Sequence, residues 1–471
     1  MMPIMLNSFN PKSLGKTFTD LLFLVPVSAF FLVFKLGNGS LASWDEAIYA
    51  GVAKEIFLSK DWLHLTWAGQ AWIDKPPLSI WATAFFYKLF GVSEFSARLF
   101  SALCGVGIVV MTYLIGRKLL NRWVGFTGAM VLLSSSHFLR FSRFGMMDAP
   151  VTLFLCLALY FFWLGREKDR YLVFFGLAAG FGFLTKSFAI AFVFPIVGFY
   201  AWWADELVLL KRPAFWAGLG VFLVMAVGWT GYQAAHYGQA YLDEALYKHF
   251  FLRSSQALEG HAGNYYFYIR TMVNKYHPWI LVGVFSAPFF LFKAIKDRLE
   301  EIIYLSLWMF VIFIIVTLMK TKLPWYIFPA YPALSLSVAY VSGRLLDEKY
   351  SGGVKLLFLG ILALHVHYSH VFNQDYSRPI KNIAPAIESK TNAQDILYLY
   401  HYHEAPASNF YLGRQTRYLD DENALISAAK NPPGRFLCLM FDKEAMPMSA
   451  RLTELGIHET ARSGDYALYE K

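Results

Sequence analysis

Apolar runs of about twenty residues recur along most of this chain, and no other feature limits its folding more. A run of that length with few charges is long enough to cross a bilayer core as a helix. Such runs are read near 18–36, 97–116, 123–139, 149–165, 171–185, 188–204, 214–233, 279–292, 302–319, 324–343 and 354–371. Only 16% of the 471 residues are charged, against 57% hydrophobic. A soluble protein carries about a quarter charged residues, which argues against a soluble multidomain enzyme. The expected fold class is a polytopic α-helical membrane protein of about eleven transmembrane helices. The first run has no small-residue cleavage site after it but Trp44-Asp45-Glu46, so it is read as a span and not a signal peptide.

The net charge of +9 comes in short basic clusters between the runs. Arg117-Lys118 with Arg122, the cluster Arg166-Glu167-Lys168-Asp169-Arg170, Lys211-Arg212 and the stretch 293–298 fall in alternate loops. Retention of Lys and Arg on the cytoplasmic side produces that pattern, and with Lys12 and Lys16 it predicts a cytoplasmic N-terminus. A basic excess explained in this way gives no reason to expect nucleic acid as a partner. The domains expected are 1–371, in the membrane, and 372–471, a soluble α/β domain outside the cytoplasm. In the latter, short apolar strands over 396–400, 435–441 and 466–469 alternate with amphipathic stretches over 421–430 and 443–455. Cys104, Cys156 and Cys438 have no metal-ligand or CxxC spacing. The absence of a glycine-rich nucleotide signature disfavours an ATP-driven pump.

The outward loops should be poor in cations, yet they carry them beside carboxylates. One holds Asp45-Glu46-Ala47-Ile48-Tyr49 and then Asp74-Lys75-Pro76-Pro77-Leu78; the next holds Arg140, Arg143 and Asp148; later turns hold Lys186, and Lys320-Thr321-Lys322-Leu323-Pro324-Trp325-Tyr326. Singly, each has a bland reading: a lysine snorkelling to headgroups, an aspartate capping a helix. Together they predict one polar cavity at the outer membrane face. Fixed cations suit a lipid phosphate, and carboxylates beside them suit a general base or a metal ligand. On a helix, Asp45 and Tyr49 would share a face while Asp45 and Glu46 diverge.

These strings resemble the bacterial branch of the dolichyl-phosphate-mannose protein mannosyltransferase superfamily, which includes a transferase of aminoarabinose to lipid A. The resemblance rests on Asp-Glu-Ala-Ile-Tyr, Asp-Lys-Pro-Pro-Leu-Ser-Ile-Trp, Phe95-Ser96-Ala97-Arg98-Leu99, Arg-Phe-Gly-Met-Met-Asp, Leu-Thr-Lys and Lys-Leu-Pro-Trp-Tyr-Ile-Phe-Pro-Ala, in that order over about 40–345. It implies a GT-C type glycosyltransferase of the bacterial inner membrane. The donor would be a polyprenyl-phosphate sugar, the acceptor lipid A, another glycan or a protein, and the stereochemistry inverting. It implies Asp45 as the catalytic acid residue of the first loop, Asp148 as the second, and Lys75, Arg253, Lys322 and Tyr326 around the donor phosphate. Glu46, Tyr49, Arg143 and Lys186 are weaker substrate-binding candidates. A divalent metal is the one cofactor implied, on Asp74 and a histidine of Lys248-His249-Phe250-Phe251-Leu252-Arg253, with His261 and His277 competing for His249's place. Two departures stand out: Asp74 replaces the family's frequent Glu, and Thr185-Lys186-Ser187 replaces Thr-Lys-Gly. A protein O-mannosyltransferase-like enzyme is one alternative, and a transporter of lipid-linked sugars the other. A transporter would favour broken helices and repeat symmetry at the midplane.

Overall fold

The computed structural model describes residues 11–258, 260–344, 346–368, 371–372, 375–390, 392, 395–401, 405–412, 416–432 and 434–471. In chain order the first elements are α1 (Pro11–Val33), α2 (Asp45–Ser59), the hairpin β1 (Thr66–Trp67) and β2 (Gln70–Ala71), α3 (Leu78–Phe90), α4 (Glu94–Leu119), α5 (Arg122–Leu133), α6 (Ser136–Ser142), α7 (Asp148–Gly165), α8 (Arg170–Lys186) and α9 (Val193–Trp203). Further apolar helices cover Pro213–Tyr237, Ile280–Asp297, Glu300–Leu318, Tyr331–Val341 and Ser351–Tyr368. Among the described residues, six helical stretches are long and apolar enough to cross a membrane: Gly15–Val33, Glu94–Leu119, Asp148–Gly165, Arg170–Trp203, Pro213–Tyr237 and Glu300–Leu318. The stretches expected at 171–185 and 188–204 are joined in one of these six, interrupted by a 3-10 turn at Ser187–Phe192.

The chain divides into two compact units. The first comprises Met1–Phe34, Ile73–Ser79 and Leu99–Val371. Here α5 has 12 residues, about 18 Å of helix, too short to cross a bilayer core alone. Its residues from Trp123 to Leu133 are all buried, as an all-apolar helix requires. Asn121 starts it by accepting the Val124 N–H at 2.9 Å. Elsewhere backbones touch: a β-carbon on Gly176 of α8 would lie 1.8 Å from the carbonyl oxygen of Gly218. Small residues permit that approach where helices cannot gain from a hydrophobic effect between them. Basic loop residues tie helix ends together, with Arg122 on buried Asp20 at 2.7 Å and Arg166 shared between Glu206 and Glu300 at 3.0 and 2.5 Å.

The second unit comprises Lys35–Trp72, Ile80–Arg98 and Phe372–Lys471. It therefore takes in two segments expected to group with residues 1–371. Its sheet has the order β4-β3-β5-β7-β6, from β3 (Leu397–Tyr400), β4 (Thr416–Leu419), β5 (Leu437–Phe441), β6 (His458–Ser463) and β7 (Tyr466–Glu470). β3 runs parallel to β4 and β5, and β7 antiparallel to β5 and β6. The helix Glu422–Lys430 packs through Leu425 and Ala429 into a core with Tyr398, Tyr400, Cys438 and Met440. Both edge strands, β4 and β6, were absent from the expected set. Their charged and half-exposed side chains mask the apolar alternation. The expected helix over 443–455 is broken into Asp442–Ala445, a 3-10 turn Met446–Met448 and Ser449–Glu454, where Pro447 removes an N–H.

Candidate functional site

In the first unit, Asp148 opens α7 and Lys186 closes α8. Each stands at the helix end whose dipole favours its charge. They meet at 2.7 Å between Nζ and Oδ1, with side chains 16% and 4% exposed for Lys186 and Asp148. The Lys186 ammonium also lies 5.6 Å from the centre of the Tyr326 ring. Tyr326 sits on the 3-10 turn Pro324–Ala330, and its hydroxyl accepts a hydrogen bond from Arg253 Nη1 at 3.0 Å. The structure thus links Asp148, Lys186, Tyr326 and Arg253, which lie on four separate stretches of sequence.

Arg253 follows a π-helical stretch, Asp243–Leu252, a winding that recurs at functional sites. The chain beyond it is tied to residues 321 and 322. Thr321 N–H donates to the Arg253 carbonyl at 3.2 Å, Lys322 N–H to the His261 carbonyl at 2.9 Å, and Leu258 N–H to Thr321 Oγ1 at 3.2 Å. Gly263 is required here, since a β-carbon on it would stand 2.7 Å from Lys322 Cγ. Lys322 itself is buried, and Nζ donates to the carbonyls of Val316, at 3.2 Å, and Thr317. The carbonyls lie in the last turn of the helix Glu300–Leu318, where a cation is favoured. Burial and the neighbouring Lys320 lower its pKa from the ordinary lysine range.

Lys75 and Asp74 are half-buried, and Lys75 Nζ reaches the Asp74 carbonyl at 3.4 Å. Arg143 is buried and donates to the Phe31 carbonyl near the end of α1 at 2.8 Å. His261 and His277 are exposed, and the side chain of His249 lies outside the described residues. Among the described residues no three His, Cys, Asp or Glu side chains gather closely enough to hold a metal ion.

Asp45, Glu46 and Tyr49 belong to the second unit and open α2. Asp45 is half-buried in the first turn, directly after Trp44, which has φ 68° and ψ −126°. Glu46 faces elsewhere. Its carboxylate is buried against Arg98, with Oε1 accepting from Nε at 2.7 Å and Oε2 from Nη2 at 3.1 Å. Glu46, a substrate-binding candidate, also accepts from the Ala42 N–H at 2.7 Å. Arg98 also donates to the carbonyls of Leu36, Asn38 and Ser40. Arg98 thus bridges the 36–40 loop and the start of α2. Tyr49 is buried with its ring 6.0 Å from that of Trp72. Tyr411 and Asp375, which bind the segment before Asp45, were not singled out from sequence. They lie 370 and 335 residues from their partners Leu41 and Ser40, and no local pattern marks them.

A family model described as dolichyl-phosphate-mannose-protein mannosyltransferase matches residues 74–232. An uncharacterized protein of Aquifex aeolicus is 30% identical over 324 residues, covering 68% of this chain and 63% of its own. The undecaprenyl phosphate-α-4-amino-4-deoxy-L-arabinose arabinosyl transferase 1 of Pseudomonas fluorescens is 28% identical over 350 residues, 71% of this chain and 62% of its own. This chain thus spans less than two thirds of the length of either relative. Among solved structures, ArnT from Cupriavidus metallidurans bound to undecaprenyl phosphate superposes with a TM-score of 0.75 at 19% identity, over 96% of this chain and 97% of that one.

Proposed function

We propose, for this GT-C superfamily member similar to the lipid A aminoarabinose transferases, that it moves a sugar from a polyprenyl-phosphate donor to an acceptor such as lipid A, with inversion. The observation that carries the reading is the linked set Asp148, Lys186, Tyr326 and Arg253: two cations meet on one tyrosine, and one is paired with a buried acid. The donor would be undecaprenyl phosphate carrying a pentose or hexose, and the site would face the periplasm from the inner membrane, with the N-terminus in the cytoplasm.

In the proposed reaction an acceptor oxygen attacks C1 of the sugar as the bond from C1 to the phosphate oxygen breaks. One displacement inverts C1 and releases polyprenyl phosphate. Arg253, Lys75, Lys322 and the Tyr326 hydroxyl stabilise the negative charge that grows on the departing phosphate. Lys186 is held by Asp148 and orients the sugar or the acceptor. A hydroxyl acceptor needs its proton removed, and Asp45 takes it as general base. A phosphate acceptor needs no base, and Asp45 then orients the sugar. No step is routed through a metal. A divalent ion on Asp74 and His249 would appear as metal in the purified protein that falls away in Asp74→Ala.

The test is mass spectrometry of total lipid and lipid A from a deletion strain, from that strain restored with wild type, and from one restored with Asp45→Asn. A polyprenyl-phosphate sugar should accumulate in the deletion and in Asp45→Asn, with the matching sugar mass missing from lipid A. Accumulation with lipid A unchanged moves the acceptor to another glycan or to protein. No accumulation and no missing sugar refutes the transferase.

A further inference from the structure

The backbone ahead of Asp45 is held at five positions between Leu36 and Ala42, four of them by side chains distant in sequence, all within the second unit. The carbonyls of Leu36, Asn38 and Ser40 accept from Arg98 at 3.2, 3.2 and 2.8 Å. The N–H and Oγ of Ser40 donate to Asp375 Oδ1 at 3.0 and 2.7 Å, and the Ser377 N–H donates to Ser40 Oγ at 2.5 Å. The Leu41 N–H donates to the Tyr411 hydroxyl at 2.7 Å, and the Ala42 N–H to Glu46 Oε2 at 2.7 Å. The Tyr411 hydroxyl in turn donates to Glu94 Oε1 at 3.1 Å, and Lys381 pairs with Glu94 at 2.6 Å. Burial and the Glu94 charge push the Tyr411 phenol up, so it stays protonated and can accept from Leu41 while donating to Glu94. The helix after Asp45 is gripped as well: Lys54 Nζ of α2 donates to the Phe410 carbonyl at 2.8 Å and lies 5.5 Å from the centre of its ring.

Between the clamped loop and α2 stands Trp44, a non-glycine residue with φ 68°. A side chain in that region is kept there only when its surroundings over-determine the backbone, and such residues cluster at functional sites. Tyr411 and Asp375 lie on the α/β part of the second unit, so that part does more than cover a surface.

We propose that Tyr411 and Asp375 are positioning residues for Asp45, locking residues 38–44 so that its carboxylate is presented in one orientation. The role rests on the reading of Asp45 given above. A displacement near 1 Å of a group that must meet the acceptor costs up to about a hundredfold in rate. Substrate binding at the phosphate would be unaffected by the same displacement, which separates the two parameters.

The experiment uses the full-length protein in detergent. Wild type, Tyr411→Phe, Asp375→Ala and Asp45→Asn are compared with Arg451→Ala, an exposed control. Hydrogen–deuterium exchange is followed over residues 36–44 and over the sheet strands 397–400 and 437–441. Turnover is followed with undecaprenyl-phosphate-linked 4-amino-4-deoxy-arabinose as donor and lipid A as acceptor. In Tyr411→Phe and Asp375→Ala, exchange over 36–44 should accelerate roughly fivefold, the scale of one lost hydrogen bond, while the strands exchange as in wild type. Their kcat should fall about tenfold or more with donor KM within about twofold of wild type. Wild-type exchange over 36–44 in both variants overturns the anchoring, whatever the substrate. Faster exchange with wild-type kcat overturns the positioning role. Wild-type turnover by Asp45→Asn overturns the reading of Asp45 and the role drawn from it, while the exchange data still decide the anchoring.

Discussion

Changing Lys186 to Met strands the Asp148 carboxylate, which is 4% exposed, without its ammonium. Leaving one partner of a buried pair costs about 3 kcal/mol, whereas replacing both with neutral groups of similar size is close to neutral. Thermal unfolding in detergent should show Lys186→Met destabilised and the double variant Asp148→Asn, Lys186→Met restored. Transfer should stay lost in both, which separates the chemical role from the structural one. Lys322 gives a pH test. Its pKa is lowered, so it loses charge at a lower pH than an ordinary lysine, and in the proposed reaction its attraction for the phosphate would go with it. Donor KM should rise on the alkaline side in wild type and stay flatter in Lys322→Arg, whose guanidinium keeps its charge. The same shift makes the folded state more stable as pH rises from the lowered value toward the ordinary one, because the unfolded chain then binds more protons. These candidates could be named from sequence since an ion at a helix end in an apolar chain stands out. That Glu46 would pair with Arg98 instead of facing the same way as Asp45 followed only in part, from the 100° between neighbours on a helix.

Helices were the most legible elements, because apolar runs of bilayer length leave the backbone little choice. Their breaks were less so. Ser187 lies at φ 23° and ψ −100°, where a residue with a β-carbon is more strained than glycine. Ser187→Gly, which restores the Thr-Lys-Gly pattern, should raise stability by about 1 kcal/mol, read as a higher unfolding midpoint. Backbone contact between helices was not legible either. A β-carbon on Gly218 would stand 2.2 Å from the Leu172 carbonyl oxygen, so Gly218→Ala should cost about 2 kcal/mol by forcing α8 away. In the sheet, β3, β5 and β7 were readable as apolar strands, while β4 and β6 carry the mixed polarity of edges and were not.

At the scale of the whole molecule, a chain ended at Val371 would keep its apolar helices and lose Tyr411, Asp375 and Lys381. It should remain in the membrane after alkaline carbonate extraction, yet residues 36–44 should become open to limited proteolysis. The sequence by itself determined that this is a helical membrane protein with charges gathered at helix ends. Its ordered motifs also pointed to the superfamily. Composition and bilayer thickness act on every residue of a run, so those properties are local and additive. Only the tertiary structure decided that Lys35–Trp72 and Ile80–Arg98 fold with the C-terminal sheet, and that Asp148, Lys186, Tyr326 and Arg253 form one linked set. Each of those outcomes depends on a few hydrogen bonds or ion pairs between residues far apart in the chain. Pairings of that kind leave no periodicity in the sequence, since a single tyrosine or aspartate at the right place in space is sufficient to make them.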